Sequence, residues 1–169
     1  MAGLAWVGSV DLELRQLGAE TPCPRKERSS LNLRLLKVLT MPDEAHAPDD
    51  PEGRCCSRLE AKLDLLMSLF GVEASRDSQQ HEVTLEPKGI WVHGGASATD
   101  GSSWEISLWL TADQVRPVIL EAVVSGQSQD GEAAYFAFTH VSPGEAELLE
   151  RFIFQQHRRA VAAARRGRD

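Results

Sequence analysis

Cysteine is scarce in this chain of 169 residues. The three present are Cys23, Cys55 and Cys56, two of them adjacent and none in a Cys-x-x-Cys pair. An odd number at such spacing argues against a disulfide framework and fits a reducing compartment, so a cytoplasmic location is expected. Long apolar runs are missing too. None approaches the roughly 20 residues that span a bilayer as a helix, and no membrane insertion is expected. The opening Met1-Ala2-Gly3-Leu4-Ala5-Trp6 has neither a basic stretch nor a sustained apolar one, which predicts no signal peptide. Ala2 in place of glycine gives no myristoylation motif. Positive charge is in deficit, with 18 Lys and Arg against 25 Asp and Glu, and the net charge of −7 argues against nucleic acid as a partner. Catalytic and phosphate-binding signatures are also absent. There is no Gly-x-Ser-x-Gly, and Gly94-Gly95 lacks a following Lys-Ser/Thr. His46, His81, His93, His140 and His157 show no ligand spacing such as His-x-x-x-His. Neither an enzyme, a cofactor nor a metal site is expected.

The patterns that are present read as strands with added helices. Residues 4–17 alternate, Val10, Leu12 and Leu14 against Asp11, Glu13 and Arg15, the period of a half-buried strand. Residues 18–28 read as a loop, with Pro22, Pro24 and the charges Arg25, Lys26, Glu27 and Arg28. Ser29 and Ser30 are N-cap candidates for a leucine-rich helix over 31–39, which Met41-Pro42 ends. Residues 42–53, acidic and carrying Pro42, Pro48 and Pro51, read as a connection. Cys56, Leu59, Leu63, Leu66 and Phe70 then step by three and four residues, an a/d seam, with Gly71 placed to end the helix. The same leucines suit packing against 31–39 within one protomer or against another copy of the seam.

From residue 83 onward the period changes to two. Residues 104–110, 117–124 and 133–141 read as strands, and Gly94-Gly95, Asp100-Gly101 and Asp130-Gly131 as hairpin loops between them. Short strands of this kind predict a small antiparallel barrel. Trp104, Ile106 and Leu108 share one face, which leaves Trp109 on the other as the exposed tryptophan and a candidate partner contact. Ser142-Pro143 opens a last helix, with Leu149, Phe152, Ile153 and Gln156 along one face and Arg158, Arg159, Arg165, Arg166 and Arg168 toward its end. The fold class expected is mostly β with added helices, α+β. A barrel with its closing helix occupies 81–156, and a helical pair is inserted over 30–71.

The sequence Thr84-Leu85-Glu86-Pro87-Lys88-Gly89-Ile90 joins two of the strands through a Pro/Gly turn. Its position, the order of strands after it, and the closing Phe152-Ile153-Phe154-x-x-His157-Arg158-Arg159 resemble a PilZ domain over nearly the whole chain. The leucine-rich helix pair is similar to an atypical, tetrameric branch of that family. The resemblance implies a cyclic-di-GMP receptor fold, a homotetramer built on helical heptads, and a bacterial signalling role in motility, surface behaviour or virulence. It also implies a ligand turn, Asp/Asn-x-Ser-x-x-Gly. Here Thr84 stands in the first slot, Glu86 in the serine slot, and Gly89 keeps the glycine. The family's preceding Arg-x-x-x-Arg is not matched: six residues without arginine precede the strand at 7–14, and Arg76 with Gln80 precedes the strand at 81–85. Arginine reads phosphate in a bidentate fashion and stacks on purines, while Glu86 repels an anion. Weak or absent cyclic-di-GMP binding through Thr84, Glu86, Gly89 and Arg76 is therefore expected, with self-association and contact with an unidentified protein as the working functions. The alternative is a true receptor using Arg76, Lys88, Arg116 and the C-terminal arginines.

Overall fold

The computed structural model describes residues 4–18, 25–41, 59, 66, 78–94, 98–112, 114, 116–129 and 131–166. Six strands form a closed antiparallel barrel: β1 (Trp6–Gln16), β2 (Gln79–Glu86), β3 (Gly89–His93), β4 (Ser103–Trp109), β5 (Val118–Gln127) and β6 (Ala133–Thr139). Around the ring the order is β1-β2-β3-β6-β5-β4. Among the described residues, two helices with defined bounds accompany it, α1 (Arg25–Leu39) and α2 (Pro143–Arg166).

The two-residue period explains the barrel directly. Val10 and Leu12 of β1, Val83 and Leu85 of β2, Ile90 and Val92 of β3, Ile106 and Leu108 of β4, and Ala134 and Phe136 of β6 all turn inward and are buried. Each large side chain removed from water in this way contributes roughly 1.5–3 kcal/mol. Both helices lie at the end where β5 begins and β6 finishes, and their Leu35, Leu36, Leu149, Phe152 and Ile153 enter the same core. Phe152 meets the Trp6 ring edge-on at 5.8 Å.

The structure departs from the sequence reading in three places. First, α1 begins at Arg25, so residues 25–28 are helical and Ser29 and Ser30 are interior positions. Arginine, lysine and glutamate are good helix formers, and their propensity outweighs the polar, loop-like composition. Second, the Gly94 and Gly101 region joins β3 to β4, which are not neighbours in the sheet. It is a crossover past two strands, and of the three expected breaks the one at Gly131, with φ 72°, lies between the hairpin partners β5 and β6. Third, Trp109 is buried, with 3% of its surface exposed. It is buried without belonging to the barrel's core cluster. The outer side of β4 at this point is covered by chain and not by water, so Trp109 is not the surface contact it resembles in sequence.

Two polar arrangements fix the helices on the barrel. Asn32 in α1 donates from Nδ2 to the Ile119 carbonyl at 2.7 Å and accepts from the Ile119 N–H at 2.9 Å, using both halves of its amide on one β5 residue. The same Nδ2 donates to Glu145 Oε1 at 2.9 Å. Glu145 Oε2 accepts from the Ser29 hydroxyl at 2.8 Å, from the Ser142 N–H at 2.9 Å and from the Ser142 hydroxyl at 2.5 Å. Ser142 and Glu145 thus form a capping box at the start of α2. Burial works to raise the Glu145 pKa, but the bonds from Ser142, Asn32 and Ser29 outweigh it and hold the carboxyl below its ordinary value. Glu105 and Glu121 sit directly opposite each other on β4 and β5, an unfavourable pairing alone. Arg28 bridges them, at 3.1 Å and 3.4 Å. His140 Nδ1 lies 3.2 Å from the other oxygen of Glu121. A crevice of about 30 Å³ lies among these groups, room for about one water.

Candidate functional site

The sequence-predicted turn forms the tip of the β2–β3 hairpin. Glu86 pairs with Gly89, and Pro87 and Lys88 are the two loop residues. Lys88 does not take a positive φ, so this is not one of the mirror-image turns usual in two-residue hairpins. Pro87 fixes its own φ near −65°, which is incompatible with them. The turn is anchored from the side instead, by the Phe138 N–H donating to the Lys88 carbonyl at 2.9 Å.

Inward-facing Val83 and Leu85 place Thr84 and Glu86 on the outer surface. Inward-facing Ile90 and Val92 likewise place Trp91 and His93 there, and Phe136 places Tyr135 there. The register aligns these residues into a row across the strands. Val7 of β1 is opposite Thr84, Thr84 opposite Trp91, and Trp91 opposite Tyr135. The Trp91 and Tyr135 rings meet at 5.0 Å with a 42° tilt. The Tyr135 hydroxyl donates to Glu86 Oε2 at 3.4 Å. Burial raises the Tyr135 pKa, and the adjacent Glu86 charge and its hydrogen bond raise it further. Thr84 Oγ1 and His93 Nε2 lie 3.4 Å apart.

Gly89 owes its identity to this tyrosine. Its φ is not positive, so backbone freedom is not the reason. A Cβ at this position would stand 2.5 Å from Tyr135 Cζ and 2.7 Å from the Phe136 carbonyl oxygen. The phenol ring lies directly over the glycine and reaches Glu86 across it. The sequence contained no sign of Tyr135 in this role, because its place depends on β6 lying beside β3.

The remaining candidate residues divide as follows. Thr84, Glu86 and Gly89 are brought together. Arg76 lies outside the described residues, as do Cys56, Leu63 and Phe70 of the heptad seam. Leu59 and Leu66, seven residues apart, are both helical and both more than half exposed, at 58% and 52%. Trp109 is buried, as described above. Among the described residues, no cluster of three or more His, Cys, Asp or Glu is placed to hold a metal, and no helix is long and apolar enough to cross a membrane.

Comparison with known proteins agrees with this architecture. Among curated proteins none matches the chain. Among solved structures, the chain is similar to a crystal structure of a pathogenic protein from Xanthomonas campestris, described as a new tetrameric PilZ domain self-assembled via an unusual helical bundle. The two share 20% identity with a TM-score of 0.65, over 95% of this chain and 91% of that one. At that identity the likeness speaks for the fold. The family model of the atypical PilZ domain, cyclic di-GMP receptor, matches residues 35–166, well over half of the sequence. A six-stranded barrel with a hairpin at the expected motif, closed by a helix and matched by that model, is what membership requires: the chain belongs to the atypical PilZ domain family.

Proposed function

We propose that this protein is a cytoplasmic, non-enzymatic component of cyclic-di-GMP signalling. It acts by self-association and by contact with another protein, and binds cyclic di-GMP weakly or not at all through the usual turn. The observation that carries this reading is Glu86. A carboxylate stands in the serine slot of the ligand turn, faces outward, and among the described residues receives only a long hydrogen bond from Tyr135. Among the described residues it makes no ion pair that would mask its charge. A ligand with two phosphates approaching this face meets repulsion where the family's polar turn would offer a bond.

Self-association is supported by Leu59 and Leu66. Their spacing puts both on one side of a helix, and both are exposed on the single protomer. Large apolar side chains repeated at seven residues and left in water are the pattern of an a/d seam awaiting a partner helix. The tetrameric neighbour is consistent with a four-copy assembly. Two measurements test the reading together. Light scattering should give a tetramer for the native chain and a smaller species for Leu59→Glu with Leu66→Glu. Isothermal titration with cyclic di-GMP should give no saturable heat at high micromolar ligand. A native monomer at micromolar concentration overturns the assembly, and tight cyclic-di-GMP binding overturns the account of the turn.

A further inference from the structure

The outer surface of β2, β3 and β6 has a chemistry of its own. The described helices pack against β1, β2 and β5, and no helix contact of comparable extent falls on β3 or β6. On this face lies the row Val7, Thr84, Trp91 and Tyr135, one residue from each of four neighbouring strands. At about 4.8 Å between strands the row is about 15 Å long, the reach of four or five extended residues. Its first member, Val7, is 72% exposed, an apolar side chain with water around it. The other end is aromatic. The edge of Trp91 extends across β6 toward Gly126 of β5, where an added Cβ would lie 4.0 Å from Trp91 Cη2 and 3.7 Å from Tyr135 Cβ. That glycine adjoins a register shift in β5 and carries no side chain, so the indole, packed on Tyr135, has its far edge over β5 backbone. Beside the aromatic end stands Glu86, and at the outer edge of the same sheet face stands Glu82, exposed.

A carboxylate next to two partly exposed aromatic rings is a receptor for a cation. The rings present negative faces to an ammonium or guanidinium, and the carboxylate supplies a charge-assisted acceptor. The geometry points to a site for a basic protein segment: we infer that a partner lays an extended stretch across this row, with an arginine or lysine over Trp91, Tyr135 and Glu86 and an apolar residue against Val7. Among the described residues the Tyr135 hydroxyl engages one Glu86 oxygen, Oε2, and Oε1 has no partner, which suits the incoming donor. The net charge of −7 favours approach of such a segment. A small cationic metabolite fits less well, because the row lies on a convex barrel wall, whereas small ligands take concave sites. This inference rests on the protein-contact part of the function proposed above and assigns its chemistry.

The test is a titration of ¹⁵N-labelled protein with an acetylated, amidated peptide of glycine and serine that carries one leucine and one arginine. The four tryptophans give four indole N–H signals, and Trp91→Phe identifies the one that matters. The Trp91 indole should shift saturably. Glu86→Gln should weaken binding about fivefold, as should replacing the arginine of the peptide by glutamine. Glu150→Gln, which removes an exposed acid on α2, should leave the affinity unchanged. Val7→Ser should cost a smaller factor, and only when the peptide keeps its leucine. Circular dichroism on each variant separates lost binding from lost fold. Equal losses in Glu86→Gln and Glu150→Gln overturn the site in favour of general charge attraction. An unmoved Trp91 indole with folded protein overturns it outright. Broadening of that indole with protein concentration alone overturns it in favour of a second copy of this chain. None of these results touches light scattering or cyclic-di-GMP titration. Movement of the same indole by cyclic di-GMP would instead overturn both this inference and the account of the turn.

Discussion

Glu145 and Glu86 are the same residue in opposite circumstances. Glu145 is 2% exposed and accepts four hydrogen bonds, from Ser29, Asn32 and twice from Ser142. Glu86 is half-buried and, among the described residues, receives one bond, at the outer limit of the distance, from Tyr135. The first carboxylate is committed to joining α1 to the start of α2. The second retains acceptor capacity and charge on the surface. A charged group whose lone pairs are all satisfied internally is part of the scaffold, and one left half-satisfied at a partly exposed aromatic site is available to a partner.

The contrast is broken most severely at Glu145. Glu145→Ala leaves the Ser142 N–H, the Ser29 hydroxyl and one Asn32 donor short of an acceptor in a buried place, and should cost about 3 kcal/mol in urea unfolding. The pH dependence has a definite sign. The folded pKa of Glu145 lies below its unfolded value, so the contribution is fully present above the unfolded pKa and is lost as pH falls through the folded one. Glu145→Gln should remove that acid-side loss from the stability profile. A smaller effect is expected at Gly89. Gly89→Val pushes the Tyr135 ring and the Phe136 carbonyl, and should cost about 1–3 kcal/mol by thermal melting while detaching Tyr135 from Glu86. The smallest change is Glu86→Gln. Its cost in stability should be within about 0.5 kcal/mol, as for other partly exposed surface changes. Its signature is spectroscopic. Tyr135 is the only tyrosine, so tyrosinate absorbance follows it alone. The native midpoint should lie above the ordinary phenol value, and Glu86→Gln should bring it down by removing the charge that opposes ionisation. An unchanged midpoint would separate Glu86 from Tyr135 in solution.

Much of the scaffold was legible from residues 4–17 and 83–141, because inward and outward positions alternate there and the barrel buries one face of each strand. Ser142-Pro143 gave the start of α2 correctly, since capping is a local matter. What failed was non-local. Ser29 has the composition of an N-cap, yet its hydroxyl serves a carboxylate 116 positions later. Trp109 has the parity of an outward residue, but whether water or chain lies beyond it depends on the fold. The candidate site shows the same division. Thr84, Glu86 and Gly89 could be named from the turn alone. Tyr135, which covers Gly89 and reaches Glu86, joins them only because β6 and not β4 lies beside β3.

The closure of the strand ring has a further consequence. An open sheet offers unpaired backbone at its edges, where another chain docks by extending the sheet with little regard for sequence. A ring has no such edge. Recognition on the barrel wall would therefore rest on side chains alone. The outward residues of such a wall can change while the inward ones that keep the barrel folded stay as they are.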